Sequence, residues 1–191
     1  EGAPPHPPAF LGQARLTSAI HSVLQETSPV VCFLTGHGER DPEDFDVRNG
    51  YSRIARIIER DNIEIRRAEL AAGGIPPGCD ALILAGPTRR LAQPELDLLT
   101  EYLRGSGRVM LLVDAGAETG LNSVLNDWGL RLGNDVVVDA TRTLTGRELF
   151  LNQYTDHAIT RPLAGLTSIL YMPRSVRPLP EQGADGGAAD R

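Results

Sequence analysis

The sequence predicts an α/β domain, a three-layer sandwich built around a mainly parallel sheet. Three short apolar runs, at residues 30–34, 81–85 and 109–113, carry this prediction. Each run is nearly continuous and is followed by glycine or a polar residue, which is typical of a strand buried on both faces. Segments with helical spacing separate the runs, and strands that alternate with helices indicate parallel strands joined by helical crossovers.

The first half of the chain fits this alternation. Residues 10–25 carry an imperfect helical stripe, so a helix is predicted before the first strand. After that strand, Asn49 is expected to cap the next helix. The residues predicted for the buried side of that helix are Tyr51, Ile54, Ala55, Ile57 and Ile58. Residues 63–65 alternate as an edge strand, and residues 75–78 form a turn.

The second half begins with the clearest helix. Pro94 suits its first turn and Gly105 its end, with a stripe of leucines between them. Residues 121–128 also follow helical spacing, and residues 136–139 are predicted as a strand. The pattern is irregular over residues 141–160. Residues 168–172 are expected to pair at a sheet edge.

Both ends of the chain differ in composition from its middle. Residues 1–8 are rich in proline and residues 179–191 in glycine and alanine. Such compositions cannot bury a core, so we expect a linker at each end. A single α/β domain is expected over residues 9–178, as one part of a longer protein. No run approaches the roughly 20 apolar residues that a membrane-spanning helix needs.

Composition excludes one class of partner. The 191 residues include 25 acidic and 19 basic ones, for a net charge of −6. Without a dense basic stripe, a nucleic-acid partner held by phosphate contacts is not expected. The two cysteines, Cys32 in a strand and Cys79 in a turn, leave open whether they form a disulfide.

Polar residues follow all three apolar runs. Strands joined by right-handed crossovers end at the same edge of the sheet, so these residues should converge. Open α/β sheets bind their ligands at that edge. The candidate ligand-binding or partner-binding residues are Gly36, His37, Gly38, Glu39, Gly86, Thr88 and Asp114.

The same residues argue against most catalytic chemistry. A nucleophile elbow needs a serine or cysteine between small residues after a strand, but the third run ends in Asp114 and Ala115. No catalytic residue is therefore predicted.

Metal and phosphate sites are also disfavoured. His37, Glu39 and Asp41, with the Asp156-His157 pair, could supply ligands, but they lack helical histidine spacing, and a role in turns is favoured. The Gly36-His37-Gly38 loop lacks the lysine and further glycine of a phosphate loop, and acidic residues follow it. No metal or cofactor is predicted.

Several segments, taken in order, resemble a known family. They are Phe33-Leu34-Thr35-Gly36-His37-Gly38-Glu39, Tyr51-Ser52, Leu82-Ile83-Leu84-Ala85-Gly86-Pro87, the leucine helix 96–103, Val113-Asp114, Asp127-Trp128-Gly129 and Asp156-His157-Ala158-Ile159-Thr160. Over roughly residues 10–178, the chain resembles the extracytoplasmic domain of gliding-motility-type ABC transporter auxiliary proteins. The Thr-Gly-His-Gly-Glu and Ala-Gly-Pro segments are the most specific parts of this resemblance.

The resemblance implies a flavodoxin-like fold of the class I glutamine amidotransferase type, shared with a domain of an intraflagellar transport protein. It implies that the strand ending at Asp114 corresponds to the one that carries the nucleophilic cysteine in the enzymes. The fold would then be retained without amidotransferase chemistry. The resemblance also implies a parent protein anchored by segments outside this chain, on the extracytoplasmic (periplasmic) side of the cell membrane. Its implied partners are the permease and ATPase subunits of the same system.

These observations predict a non-catalytic auxiliary domain of an ABC transport system, which binds a small-molecule or polymeric ligand or contacts other subunits. Two alternatives stay open. A hydrolase or sugar-active enzyme on this fold would need His37 or His157 as a general base beside a nucleophile or water. A structural spacer is compatible with linkers at both ends.

Overall fold

A computed structural model describes residues 28–179 of the chain. The helix predicted over residues 10–25 and the linker over residues 1–8 lie outside the described residues. The same holds for residues 180–191 of the second linker. No helix among the described residues is long and apolar enough to cross a membrane.

A parallel sheet of four strands forms the centre of the fold. Its strands are β1 (Val30–Leu34), β2 (Glu64–Ala68), β3 (Ala81–Ala85) and β4 (Val109–Leu112), in the order β2-β1-β3-β4. All neighbouring pairs are parallel. Strand β2 lies next to β1 in one direction along the sheet, and β3 and β4 lie in the other direction. The strand order therefore reverses between β1 and β3. The predicted mixed α/β class with a parallel sheet is confirmed, and the arrangement is compatible with three layers.

Four α-helices occur in the described part of the chain, and the third matches its prediction best. They are α1 (Ser52–Arg60), α2 (Leu70–Gly73), α3 (Gln93–Arg104) and α4 (Asn122–Asn126), followed by a short 3-10 helix, Arg161–Leu163. In α3 the stripe residues Leu96 and Leu99 are buried, and Gly105 is the C-cap. Glu95 accepts a hydrogen bond from the Ala92 N–H at 2.7 Å, which satisfies one unpaired donor at the helix start.

Helix α1 departs from its prediction in its cap and its buried face. Asn49 does not cap it, because the Asn49 side chain accepts a hydrogen bond from Arg40 instead. Ile54 and Ile57 were predicted to be buried but are 42% and 59% exposed. Ala55 is buried as predicted, and the other buried residue is Ser52, which was not predicted. The inward face is therefore rotated from the predicted one, towards side chains that allow a close approach.

The C-terminal part forms two small antiparallel sheets. Strand β5 (Leu130–Leu132) pairs with β8 (Val176–Pro178), and β6 (Glu148–Leu151) pairs with β7 (Ser168–Tyr171). Residues 168–171 thus form a paired strand as expected, and the sheet that they belong to is the small one with β6. Strand β6 was not predicted, because the sequence pattern over residues 141–160 is irregular.

The strand predicted over residues 136–139 does not form. The carboxylates at either end of this segment accept backbone hydrogen bonds, that of Asp139 from a nearby residue and that of Asp135 from the distant β7–β8 connection. Asp135 accepts from the N–H of Ser175 at 3.0 Å, and Asp139 from that of Thr141 at 2.8 Å. Side-chain acceptors of this kind compete with the regular ladder of a sheet.

A disulfide joins Cys32 to Cys79 and answers the question that the sequence left open. The two Cα atoms are 6.0 Å apart, and Cys32 is fully buried. The bridge links the centre of β1 to the turn before β3, in the hydrophobic core that these strands share with α3 and α4.

Candidate functional site

The loops that follow β1 and β3 meet where the strand order reverses. The carbonyl oxygen of His37 accepts hydrogen bonds from the N–H groups of Thr88 and Arg89, at 2.9 and 3.0 Å. The Thr88 hydroxyl donates to the same oxygen at 3.2 Å, and the Arg89 guanidinium donates to the carbonyl of Gly36 at 2.6 Å. In open α/β sheets this reversal point is the usual ligand crevice.

Two glycines allow the loops to approach each other. Gly38 has a φ of +80°, and a Cβ atom built on it would lie 2.1 Å from the Thr88 hydroxyl oxygen. A Cβ atom on Gly86 would lie 3.3 Å from Nε of Arg40 and 3.7 Å from a carboxylate oxygen of Asp114. The three predicted loops therefore converge, and Asp114 borders the second of them.

The His37 side chain lies between two carboxylates. Its Nδ1 is 3.2 Å from Oε1 of Glu39, and its Nε2 is 3.0 Å from Oε2 of Glu95. The exposed fractions of these three side chains are 12%, 0% and 7%. Glu39 also accepts the His37 backbone N–H at 2.6 Å. The imidazole thus ties the loop after β1 to the first turn of α3.

Hydrogen-bond chemistry limits what this cluster can do. Each ring nitrogen of His37 is within hydrogen-bond distance of a carboxylate oxygen, so neither nitrogen is left free to act on a substrate. Oε1 of Glu95 is buried and has no hydrogen-bond partner among the described residues. No group of three or more metal-ligating side chains within residues 28–179 could hold a metal ion. The arrangement suits a structural link better than a base with a free nitrogen.

The other residues that were considered for catalysis, His157 and the two cysteines, do not join this cluster. His157 is in an exposed turn, where its Nδ1 accepts the N–H of Ile159 at 3.2 Å. Neither cysteine has a free thiol. Glu95 was missed by the sequence analysis, although a glutamate one position after Pro94 is a signal of a helix start.

A cavity that the sequence did not predict lies beside these loops. It has a volume of about 660 Å³ and is formed by segments that follow β3 and β4, together with β5 and β8. Its lining includes Arg90, Arg131, Arg174 and Arg177. None of the predicted site residues is among the described residues that line it.

One of these arginines fixes the cavity wall. The Arg174 guanidinium donates to the carbonyls of Asp114 and Ala117, at 3.2 and 3.1 Å. Its Nε donates to the carbonyl of Gly133 at 2.8 Å. These bonds attach the C-terminal segment to the loop after β4.

Fold and site together define an α/β domain with polar loops at the reversal point of a parallel sheet. The family described as an ABC-type uncharacterized transport system matches residues 28–169. The chain belongs to this family of ABC transport auxiliary proteins. The predicted link to an ABC transport auxiliary component is confirmed at that level.

Other similarities concern an intraflagellar transport protein. The chain is 28% identical over 101 residues to the human intraflagellar transport protein 52 homolog. The aligned region covers 50% of this chain and 23% of that protein. The mouse protein is 26% identical over 101 residues, covering 50% and 24%. The chain thus spans about a quarter of these relatives. The solved mmIFT52 N-terminal domain has a TM-score of 0.60 and 18% identity, covering 79% of this chain and 69% of that one. This likeness shows the fold alone.

Proposed function

We propose that the chain is a non-catalytic domain of a membrane-anchored, gliding-motility-type auxiliary component, with a class I glutamine amidotransferase-like fold. The family match over residues 28–169 carries the proposal. The turn after β4 supports it, because Asp114 and Ala115 stand where a nucleophile would be needed. The enzyme alternative has no similar support, since both ring nitrogens of His37 lie against carboxylates.

The disulfide supports a location on the extracytoplasmic side of the membrane. Disulfides persist in oxidising compartments such as the periplasm and are rare in the cytosol. The Cys32–Cys79 bridge lies within the core and not at a reactive surface position. A structural bridge of this kind fits a domain that is folded outside the cytoplasm.

The converged loops divide into exposed and buried parts. Gly36, Gly38, Thr88 and Asp114 are exposed, whereas Glu39 is enclosed. The exposed residues would contact a ligand or the permease, and the His37–Glu39 pair would hold their loop in place. Association with the ATPase would pass through the permease, because the ATPase lies on the other side of the membrane.

The test is co-purification of the permease with the tagged full-length auxiliary protein from its own membrane. We expect the Thr88→Ala, Asp114→Ala double variant to recover roughly tenfold less permease, the effect of removing directional contacts at an interface. Its free energy of unfolding should fall by no more than about 1 kcal/mol, because both side chains are exposed and the variant removes one hydrogen bond, from the Thr88 hydroxyl to the His37 carbonyl.

The matched control is the Thr155→Ala, Asp156→Ala double variant, which removes the same two residue types from another exposed loop. It should recover as much permease as the unmodified protein. Equal recovery by both double variants would show that the loops at the reversal point are not the contact surface.

A further inference from the structure

The cavity beside β4 has the dimensions of a small-molecule site. Its volume of about 660 Å³ lies within the range of ligand pockets. Leu121 and Leu132, both buried, contribute apolar wall, and Arg174 holds the wall through its bonds to backbone carbonyls. The cavity therefore offers an apolar surface within a fixed frame.

The charge of the lining opposes the charge of the whole chain. The chain carries a net charge of −6, yet four arginines line this cavity. Glu118 is the carboxylate among the described lining residues. A local excess of positive charge in an acidic protein favours an anionic occupant.

Two of the arginine side chains have no hydrogen-bond or ion-pair partner in the described part of the chain. Arg174 is engaged by carbonyls, and Arg177 pairs with Asp135 at 2.7 Å. The guanidinium groups of Arg90 and Arg131 form no hydrogen bond or ion pair within residues 28–179. Their donors are available to a ligand.

The β5–β8 ladder places like charges opposite each other. Arg131 is the direct cross-strand partner of Arg177. Like charges at directly opposite positions destabilise an antiparallel pair. Asp135 already pairs with Arg177 at 2.7 Å, so Arg131 is the member of this pair whose charge is left for a ligand.

We propose that this cavity binds a small phosphate monoester, with Arg131 and Arg90 contacting the phosphate and the leucine wall contacting the organic group. Guanidinium groups match the oxygens of phosphate and of carboxylate in a bidentate manner. Phosphate is favoured here because its three terminal oxygens can serve more than one guanidinium at once. The site is separate from the loops of the proposed function.

The test is isothermal titration of the full chain with phenyl phosphate, at constant ionic strength, with benzoate as the carboxylate comparison. We expect saturable binding of phenyl phosphate and weaker binding of benzoate. The Arg131→Gln and Arg90→Gln variants should each bind phenyl phosphate roughly tenfold more weakly or worse, because each removes a charge-assisted contact.

The control is Arg53→Gln, which removes an exposed arginine on α1 that is outside the lining. Its affinity should equal that of the unmodified chain. Absence of saturable binding, an equal loss in the control, or tighter binding of benzoate would each overturn the proposal.

A thermal melt without ligand guards against misfolding. Arg131→Gln should melt no lower than the unmodified chain, because the Arg131 side chain is exposed and makes no hydrogen bond or ion pair within residues 28–179. A clearly lower melting temperature would assign Arg131 a structural role and contradict the proposal.

Discussion

His37 stands in a glycine-flanked turn at the carboxyl end of β1, the position where α/β proteins often place reactive groups. Its two ring nitrogens contact Glu39 and Glu95 from different segments of the chain. The ring therefore joins the loop after β1 to helix α3. We therefore expect His37 to affect ligand or partner binding indirectly, by fixing the conformation of this loop and so the positions of the exposed groups nearby.

Replacing His37 with alanine should lower the free energy of unfolding by about 2–4 kcal/mol, because two enclosed carboxylates lose their shared partner. Urea denaturation measures this change. The control is His157→Ala, at an exposed turn, which should stay within about 0.5 kcal/mol of the unmodified chain. Equal effects would show that the two carboxylates do not depend on His37.

Gly38 is a second residue on which the converged loops depend. The Gly38→Ala variant should lower the free energy of unfolding by about 1–3 kcal/mol more than Gly116→Ala. Both glycines have positive φ, at +80° and +77°, but a Cβ atom meets Thr88 only at Gly38. Thermal or urea denaturation of the two variants separates the steric cost from the backbone cost. Equal losses would mean that Thr88 moves aside freely.

The helices and strands that were predicted correctly are those whose signals lie within their own residues. Strands β1 and β3 are continuous apolar runs, and α3 carries its own start and stop signals in Pro94 and Gly105. In helix α1 the prediction was right for Ala55 but wrong for Ile54 and Ile57, because the small residues Ser52 and Ala55 are the ones that are buried. The short strands β5 and β8 pair across more than 40 residues of chain, and a local pattern does not report such a pairing.

The carboxylate of Glu148, the first residue of β6, stabilises the preceding turn when it is ionised. Hydrogen bonds from the Thr145 hydroxyl and the Thr145 N–H, with a further one from Thr143, lower the pKa of Glu148 from 4.5 to about 2. Because the folded pKa lies below the ordinary value, this stabilisation is present above pH 4.5 and is lost as the pH falls towards 2.

The amide resonance of Thr145 should therefore shift between pH ~5 and ~2 as Glu148 takes up its proton. NMR spectroscopy follows this shift directly. In Glu148→Gln the group cannot ionise, so the same resonance should stay nearly constant over this range. A shift of equal size in both chains would assign the titration to another group.

At the scale of the whole molecule, the candidate functional residues come from two kinds of pattern. The loops at the reversal point were predictable, because His37, Thr88 and Asp114 each follow an apolar run closely. The arginine-lined cavity was not predictable, since its members lie between residues 90 and 177 and only the folded chain brings them together. For Glu95 the position at a helix start was predictable from Pro94 beside it, but the contact with His37 was not.

Burial differs between residues 28–132 and residues 133–179, and this difference shows how the later part is attached to the earlier one. Every buried residue of the described chain precedes residue 133, and none occurs in residues 133–179. The later part is attached by polar contacts, among them those of Arg174 with the loop after β4. The core that supports both parts contains the Cys32–Cys79 bridge.

Removing this bridge should weaken the whole domain, because it closes a loop across 47 residues of sequence. The Cys32→Ala, Cys79→Ala double variant should lose about 2–4 kcal/mol of unfolding free energy, mainly through the greater freedom of its unfolded chain. Urea denaturation with and without reductant tests this: reductant should destabilise the unmodified chain and leave the double variant unchanged.

The same chain, isolated from its own cell without reductant and then denatured, should show no thiol that reacts with an alkylating reagent until a reductant is added. Blocking free thiols during lysis prevents the bridge from forming after the cell is opened. This result would support folding in an oxidising compartment, because cytosolic thiols are kept reduced. Immediate alkylation of both cysteines would remove the main support for an extracytoplasmic location, while the family assignment, which rests on residues 28–169, would be unaffected.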